Sequence, residues 1–219
     1  MTNFRITIVS DTMCPWCYIG YRKLQAAQTT WLQKYPNDTF SVRWKPFLLR
    51  PDLPRGVSRD KATVYAEKFG ADRAPILQAH VAEAGKQVGI NFKFGGRLGA
   101  TRDSHRVIHL AGQLGGESLE TKTVEGMFAA YFENEQDLTN LDTLRSIAIN
   151  AGIPEAEFQK SIVETDDGGA EVDRAVMEAR YGNVSGVPDF TIQDKFNFSG
   201  AQDPAVILGV LEKVKAQEK

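Results

Sequence analysis

The sequence predicts an α/β protein in which both ends of the chain form one sheet and a large helical insertion separates them. Three observations predict this fold class: a strand–helix–strand order before residue 50, a hairpin and helix after residue 189, and helical periodicity between them. At 219 residues, the chain is long enough for one core with a sizeable insertion. We therefore divide it into a discontinuous sheet domain, 1-55 and 166-219, and a helical domain, 56-165.

The N-terminal segment carries alternating and then helical patterns. In "FRITIV", residues 4 to 9, Phe4, Ile6 and Ile8 share one face, which is typical of a half-buried strand. A helix follows from Pro15 to about Lys34, and "YPND" ends it because proline cannot continue a helix. "TFSVRWKPFLL" then alternates as a second strand. Two strands joined by a helix are normally parallel.

The middle of the chain, from about residue 58 to 164, is predicted to be almost entirely helical. Glycine pairs at 95–96 and 115–116 and the Gly152–Pro154 stretch separate the helical segments. The predicted helices cover 60–69, 74–88, 102–114, 120–132, 140–151 and 155–164.

The C-terminal segment returns to the sheet. In "TDDGG", Asp166 or Asp167 is predicted to cap a helix that runs to about Tyr181. "DFTIQDKFNFSG", residues 189 to 200, predicts a hairpin. A last helix is expected over about 203–215, with Asp203 as its cap and a proline at its first position.

The composition excludes several classes of partner. The net charge is −2 and no basic stripe occurs, which argues against a nucleic-acid partner. No apolar run approaches the roughly 20 residues that span a bilayer, so no membrane partner is expected. The N-terminus, "MTNFRITIVSDT", alternates like a strand and lacks the pattern of a signal peptide. We therefore expect a cytoplasmic protein.

Both cysteines of the chain lie in "MCPWCYIG", three positions apart. Such pairs in a reducing cytosol are more often catalytic or metal-binding than structural. Zinc would require a second ligand pair, and the sequence has no second CxxC. "HRVIH" places His105 and His109 at zincin spacing but lacks the glutamate of that motif. No metal site is therefore predicted, and a redox site is favoured over a structural pair.

The position of the cysteines suggests how they react. Pro15 is favoured at the first position of a helix, which places Cys14 at the N-cap. A Cys14 thiolate there would accept hydrogen bonds from the amides of Trp16 and Cys17 and would face the positive end of the helix dipole. Both effects favour the thiolate, which is the nucleophile. Cys17, one turn deeper, is expected to attack a mixed disulfide at Cys14 and release the partner.

Three further residues are linked to this hypothesis. Asp11 precedes Cys14 by three positions and either accepts a proton from Cys17 or, as we favour, binds backbone amides. Val187-Pro188 stands just before a predicted strand, where a proline is compatible with a cis or an ordinary trans bond. If the bond is cis, the Val187 backbone would be free to pair with an extended substrate.

An ordered set of motifs resembles the DsbA family of thioredoxin-fold proteins, and in particular its FrnE-like branch. The motifs are "SDTMCPWCYIG", "VRWKPFLLRPDLP", "EGMFAAYFEN", "SGVPDF" and "FSGAQ". The resemblance implies a thioredoxin-like fold interrupted by a helical domain, and a cis bond at Val187-Pro188. It implies a thiol–disulfide oxidoreductase that acts on thiol- or disulfide-containing proteins or small thiols. Cys14 would attack and Cys17 would resolve, with the Cys14–Cys17 disulfide as the redox group and no other cofactor.

The same resemblance singles out "GATRDSHRVI" in the helical domain. Thr101 and His105 match the branch, whereas Ala100 stands where asparagine is expected and Ser104 where alanine is expected. His105 is therefore a candidate for lining the site, together with Pro15 and Trp16 beside the cysteines.

Two other functions remain open. Kappa-class glutathione transferases and hydroxychromene-carboxylate isomerases share this layout but typically replace the first cysteine with serine. In "FSGAQDP" a helix begins, and helix N-termini can hold carboxylates, so glutathione as a co-substrate would bind near Gly200, Ala201 and Gln202. The second alternative is a peptide-binding, chaperone-like module with incidental cysteines. The sequence leaves the oligomeric state open.

Overall fold

The structure, a computed structural model, describes residues 1–182 and 184–217, so positions 183, 218 and 219 of the predicted sheet domain lie outside the described residues. The strands are β1 (Asn3–Ser10), β2 (Thr39–Pro46), β3 (Ser58–Asp60), β4 (Arg97–Gly99), β5 (Asp189–Ile192) and β6 (Phe196–Ser199). The α-helices are α1 (Pro15–Lys34), α2 (Lys61–Phe69), α3 (Arg73–Lys86), α4 (Arg102–Phe128), α5 (Leu141–Ala151), α6 (Glu155–Phe158), α7 (Gly169–Tyr181) and α8 (Pro204–Gln217).

Both ends of the chain contribute to one four-stranded sheet of order β2-β1-β5-β6. β1 runs parallel to β2 over its whole length and antiparallel to β5, and β5 and β6 form the predicted hairpin. Phe4, Ile6 and Ile8 are buried, and the Phe4 ring meets the Trp31 ring of α1 edge-on at 5.3 Å. The N-terminal strand–helix–strand unit is thus confirmed, with α1 covering the apolar face of the sheet.

The helical region contains a small sheet that the sequence analysis did not predict. β3 and β4 pair antiparallel over three residues each, between Ser58–Asp60 and Arg97–Gly99. β3 and β4 lie almost entirely between the predicted helices, in stretches for which no strand was expected. Strands this short have no periodicity to detect, and their partners are almost forty positions apart in the chain.

The glycine pair at 115–116 separates two helical segments, as predicted. α4 runs through this point with a kink, where Gly115 and Gly116 leave helical geometry and Gly116 takes a φ of 61°. α4 continues into a π-helical turn over Ala129–Glu133, and α6 continues into a second one over Gln159–Glu164.

The predicted cap of α7 is wrong. Gly168, in the left-handed conformation, occupies the N-cap position instead of Asp166 or Asp167. The Asp166 carboxylate forms ion pairs with Arg55 and Arg102. These arginines come from distant parts of the chain, so the competition for the carboxylate is not visible in the local sequence.

Aromatic rings join the helical region to α1. The Tyr18 ring stacks on Phe128 at 5.0 Å, and the Tyr21 hydroxyl donates a hydrogen bond to Glu125 at 2.9 Å. The start of α1 is therefore held between the sheet and the helical region. Among the described helices, none combines the length and the apolar character needed to cross a membrane.

Candidate active site

The two cysteines lie at the start of α1, where β1 turns into the helix. Cys14 is the N-cap residue, with φ −91° and ψ 112°, and Pro15 is the first helical residue. The Cys14 amide donates to the Asp11 carbonyl at 3.0 Å, and the Cys17 amide donates to the Cys14 carbonyl at 3.1 Å. The main chain therefore fixes both sulfur atoms on one short turn.

The Cys14 thiol makes a different hydrogen bond from the one predicted for a thiolate. Within the described residues its side chain forms no capping bond with the α1 amides. Sγ instead approaches the Val187 carbonyl oxygen at 3.6 Å, in the geometry of a thiol donor. A protonated thiol is a weak acceptor but has a proton to donate, which explains the choice of a carbonyl.

Cys17 is buried more deeply than Cys14. Its side chain is fully inaccessible, whereas Cys14 keeps 4 % of its surface exposed. Burial raises the pKa of the Cys17 thiol well above its usual value, and the adjacent Cys14 raises it further. The Ser10 hydroxyl and the Asp11 main chain act in the opposite direction. Both cysteines are free thiols.

The loop before β5 lies against the cysteine turn. The Val187–Pro188 bond is cis, and the Pro188 carbonyl accepts a hydrogen bond from the Gly200 amide at 2.8 Å. A side chain at Gly20 would bring its Cβ within 3.0 Å of the Pro188 ring. Gly20 thus permits α1 to pack closely on this loop, a role that a glycine inside a helix does not reveal from the sequence.

A cavity of about 430 Å³ opens beside Cys14, and we call it the front cavity. Its lining includes Cys14, Pro15, Trp16 and Val187, together with side chains of α2 and α3. The Trp16 ring lies 5.5 Å from the ring of His80 on α3. Three of the predicted substrate-binding residues, Pro15, Trp16 and Val187, therefore line this cavity beside Cys14.

A polar layer lies on the other side of the turn, and we call it the rear layer. It consists of Asp11, Thr12, Ser104, His105 and Glu120, all of them buried. The Thr12 hydroxyl is 2.7 Å from that of Ser104, which in turn donates to the Thr101 carbonyl. A departure from the FrnE-like pattern, serine at 104, thus supplies a link between the helical region and the cysteine loop.

Asp11 and His105 are both part of the rear layer. The Asp11 carboxylate accepts hydrogen bonds from the amides of Met13 at 3.3 Å and Leu49 at 2.7 Å. His105 Nε2 is 3.1 Å from the Phe47 carbonyl oxygen and 3.5 Å from the Asp11 carboxylate. His105 therefore lies behind the cysteine loop and not among the residues that line the front cavity.

The predicted glutathione-binding residues form a tight turn ahead of α8. The Gln202 amide donates to the Gly200 carbonyl, and Lys23 donates to the Ala201 carbonyl at 3.2 Å. None of the three residues is among those lining the front cavity in the described part of the chain. Across residues 1–182 and 184–217, no group of three His, Cys, Asp or Glu side chains could hold a metal ion.

Helix α2 supplies site residues that the sequence analysis missed. Lys61, Val64, Tyr65 and Lys68 all line the front cavity. Burial and the nearby Cys14 raise the pKa of Tyr65 to about 12, so its hydroxyl stays protonated at neutral pH. The spacing of the four residues at i, i+3, i+4 and i+7 indicates a single helix face, but not which surface that face would meet.

The chain is similar to known proteins in sequence and in fold. Residues 5–212 match the model of the DSBA-like thioredoxin domain. The uncharacterized protein YwbO of Bacillus subtilis is 25 % identical over 194 residues, which is 86 % of each chain. A probable DsbA oxidoreductase from Streptomyces coelicolor has a similar structure, with a TM-score of 0.86 at 23 % identity over 97 % of this chain and 90 % of that one.

A more distant structure was determined with glutathione. The cytosolic disulfide reductase DsbM from Pseudomonas aeruginosa, solved with GSH, gives a TM-score of 0.58 at 14 % identity over 97 % of this chain and 99 % of that one. At 14 % identity, this structural similarity shows a shared fold and nothing more. The family model, in contrast, covers almost the whole chain, including the cysteine turn and the loop before β5. The chain therefore belongs to the family of DSBA-like thioredoxin domains.

Proposed function

We propose that this protein is a thiol–disulfide oxidoreductase that acts through Cys14 and Cys17. One observation carries the proposal: Cys14 lines an open cavity, while Cys17 lies one helical turn deeper with no exposed surface. The Cys14 sulfur can therefore react with a substrate in the cavity, whereas the buried Cys17 sulfur can react only with Cys14. Two free thiols also favour exchange over the transferase and isomerase chemistry of relatives that carry serine.

The exchange proceeds in two balanced steps. The Cys14 thiolate attacks one sulfur of a substrate disulfide, which forms a mixed disulfide and releases the other sulfur as a thiolate. Cys17 then loses its proton and attacks Sγ of Cys14, which closes the Cys14–Cys17 disulfide and releases the second substrate thiolate. The protein dithiol is oxidised by two electrons and the substrate is reduced by two. The reverse sequence oxidises a substrate dithiol.

The two cysteines make a matched pair of variants, because the chain contains no other thiol. Reduced Cys17→Ser should trap a stable mixed disulfide with an oxidised peptide, seen as an added mass in intact-protein mass spectrometry. Cys14→Ser should form none under the same conditions, and neither variant should turn over a disulfide substrate. Equal trapping by both variants, or turnover without Cys14, would refute the assignment.

The same proposal includes the branch of the family to which the protein belongs and the compartment in which it acts. The ordered motifs support the FrnE-like branch, and the structural similarity to the cytosolic reductase DsbM supports the cytoplasm. A cytoplasmic enzyme would work against the glutathione pool. Titration of the Cys14–Cys17 pair with reduced and oxidised glutathione would measure its reduction potential and so determine the direction of the reaction. A potential below that of the glutathione pool would indicate a reductase.

Glutathione is the co-substrate that one observation favours. The DsbM structure was solved with GSH, and the turn at Gly200 is hydrogen-bonded to Pro188 beside the cysteine turn. Calorimetric titration of the oxidised protein with glutathione should show binding that Gln202→Ala weakens. Absence of binding, together with normal exchange on peptide disulfides, would exclude glutathione as a co-substrate.

A further inference from the structure

The front cavity has the size of a small-molecule site. Its volume of about 430 Å³ falls in the usual range for pockets that enclose organic ligands. Most of its lining is carbon, contributed by side chains such as Val64, Phe69, Leu77, Phe94 and Leu98. An occupant would therefore bury a largely apolar body against these side chains.

The charges around the cavity have one sign. Arg50, Lys61, Lys68 and Lys93 line it, and the described lining includes no aspartate or glutamate. Arg50 is already paired with Asp52, which lies outside the lining. Within the described residues the other three lysines form no ion pair, so the cavity keeps a positive potential that favours an anionic group on the occupant.

Of the three lysines that line the cavity, Lys61 is the buried one. Its side chain is only 1 % exposed, whereas Lys68 and Lys93 are exposed at the rim. Its ammonium donates to the Tyr131 carbonyl at 3.3 Å and lies 3.7 Å from the centre of the Tyr131 ring. One of the three ammonium donors serves the Tyr131 carbonyl and one face of the ammonium lies against the Tyr131 ring, so one donor remains for a ligand.

The nearest carboxylates of the described residues act on Lys61 only from a distance. Glu135 and Asp137 attract it from a distance, but among the described residues no carboxylate oxygen lies within 4 Å of its ammonium. Glu135 accepts the Gly95 amide, and Asp137 accepts the hydroxyls of Ser58 and Thr139. Burial lowers the pKa of Lys61 to about 8, a cost that a bound anion would offset.

We propose that the front cavity binds a small apolar organic acid that carries a thiol or disulfide, with its carboxylate on Lys61 and its sulfur facing Cys14. This inference rests on the proposed exchange function and names the class of substrate for it. The exchange step is the one already written, in which Cys14 attacks the ligand's disulfide and one ligand thiolate leaves. Binding of the acid to Lys61 requires no redox step.

The test compares an aromatic acid with its uncharged amide, 2-naphthaleneacetate and 2-naphthaleneacetamide, by calorimetry on the full-length reduced protein. Neither probe contains sulfur, so the measurement is independent of exchange. We expect the acid to bind about tenfold more tightly than the amide, the factor associated with one charge-assisted contact. Equal affinities on the unmodified protein would overturn the proposal without any variant.

Substitutions then test which residue causes the preference for the acid over the amide. Lys61→Met should abolish the difference between acid and amide while retaining amide binding, and Lys61→Gln should do the same if the methionine variant fails to fold. Lys86→Met is the matched control, because Lys86 ends α3 as an exposed lysine outside the lining. It should keep the tenfold preference. Retention of the preference by both Lys61 variants would show that the acid lies elsewhere.

The outcome also separates this proposal from the proposed function. If the protein exchanges disulfides through Cys14 but shows no preference for the acid, the oxidoreductase proposal is supported and the proposed substrate class is refuted. If the acid binds in a manner that depends on Lys61 but the protein does not exchange disulfides, the binding site is supported and the oxidoreductase proposal is refuted.

Discussion

The two sides of the cysteine turn differ in what they are made of. The front cavity is an open space lined by carbon and cations, and Cys14 meets one protein acceptor there, the Val187 carbonyl. The rear layer is held together by polar contacts, such as those of Asp11 with two amides and of Thr12 with Ser104, and the cavity that it borders has a volume of only about 60 Å³. The difference indicates that the rear layer holds the turn in place while the front cavity is left free for a partner.

The largest expected effect concerns the two sulfur atoms themselves. At neutral pH, Cys14 in the Cys17→Ser variant should react with iodoacetamide about 100-fold faster than Cys17 in the Cys14→Ser variant. Cys17 is fully buried and its pKa is raised, so it offers neither access nor thiolate. Mass spectrometry of timed samples measures both rates. Similar rates would remove the distinction between an outer and an inner thiol.

Asp11→Asn tests the rear layer as a structural support. Asparagine presents one acceptor and one donor where the carboxylate accepts from the Met13 and Leu49 amides, so one amide loses its partner. We expect a loss of about 2–3 kcal/mol in the free energy of unfolding, measured by urea titration. Asp142→Asn is the control, because this carboxylate is 85 % exposed and should contribute less than about 0.5 kcal/mol.

The acid–amide preference of the front cavity should survive Asp11→Asn. A change in that preference, without unfolding, would show that the two sides of the turn are coupled and not separate. Unchanged stability in the same variant would mean that the carboxylate does not hold the loop.

Glu120 gives the rear layer a pH dependence. Burial raises the pKa of this carboxyl to about 7, whereas the unfolded chain releases the proton near 4.5. Between these values the folded state binds more protons, so stability falls as the pH rises from about 4.5 through 7. Glu120→Gln removes this loss and should be about 2 kcal/mol more stable than the parent at pH 8, with little difference at pH 4.

Thermal or urea unfolding at both pH values measures the effect of Glu120. Glu212→Gln, an exposed carboxylate paired with Lys34 on the surface, is the control and should leave the pH profile unchanged. Parallel pH profiles for Glu120→Gln and the parent would contradict the raised pKa of the Glu120 carboxyl in the folded protein.

The smallest effect is expected at Ser104. Ser104→Ala removes the hydroxyl that meets Thr12 at 2.7 Å and should cost about 1 kcal/mol of stability, measured by urea unfolding. Ser146→Ala is a suitable control, because its exposed hydroxyl only returns to the carbonyl one turn earlier in its own helix. Iodoacetamide reactivity of Cys14 should stay within about twofold of the parent, since the change lies behind the turn.

Local signals predicted much of the site and the fold. Pro15 after Cys14 placed the cysteines at the start of a helix, and the structure places them there. The parallel β1–β2 pair followed from a strand–helix–strand pattern. The small β3–β4 sheet and the Gly168 cap were missed, because both depend on partners supplied from distant positions.

The residue pattern alone identifies the two thiols: they are three positions apart, at a helix start, in a chain with no other cysteine. What surrounds these thiols depends on how distant elements pack against them. From the sequence, Lys61 is one lysine of an amphipathic helix. In the folded protein its ammonium is buried against Tyr131 and its side chain belongs to the lining of the front cavity. Spacing along a chain sets which side chains share a face, whereas burial and charge environment arise only when two faces meet.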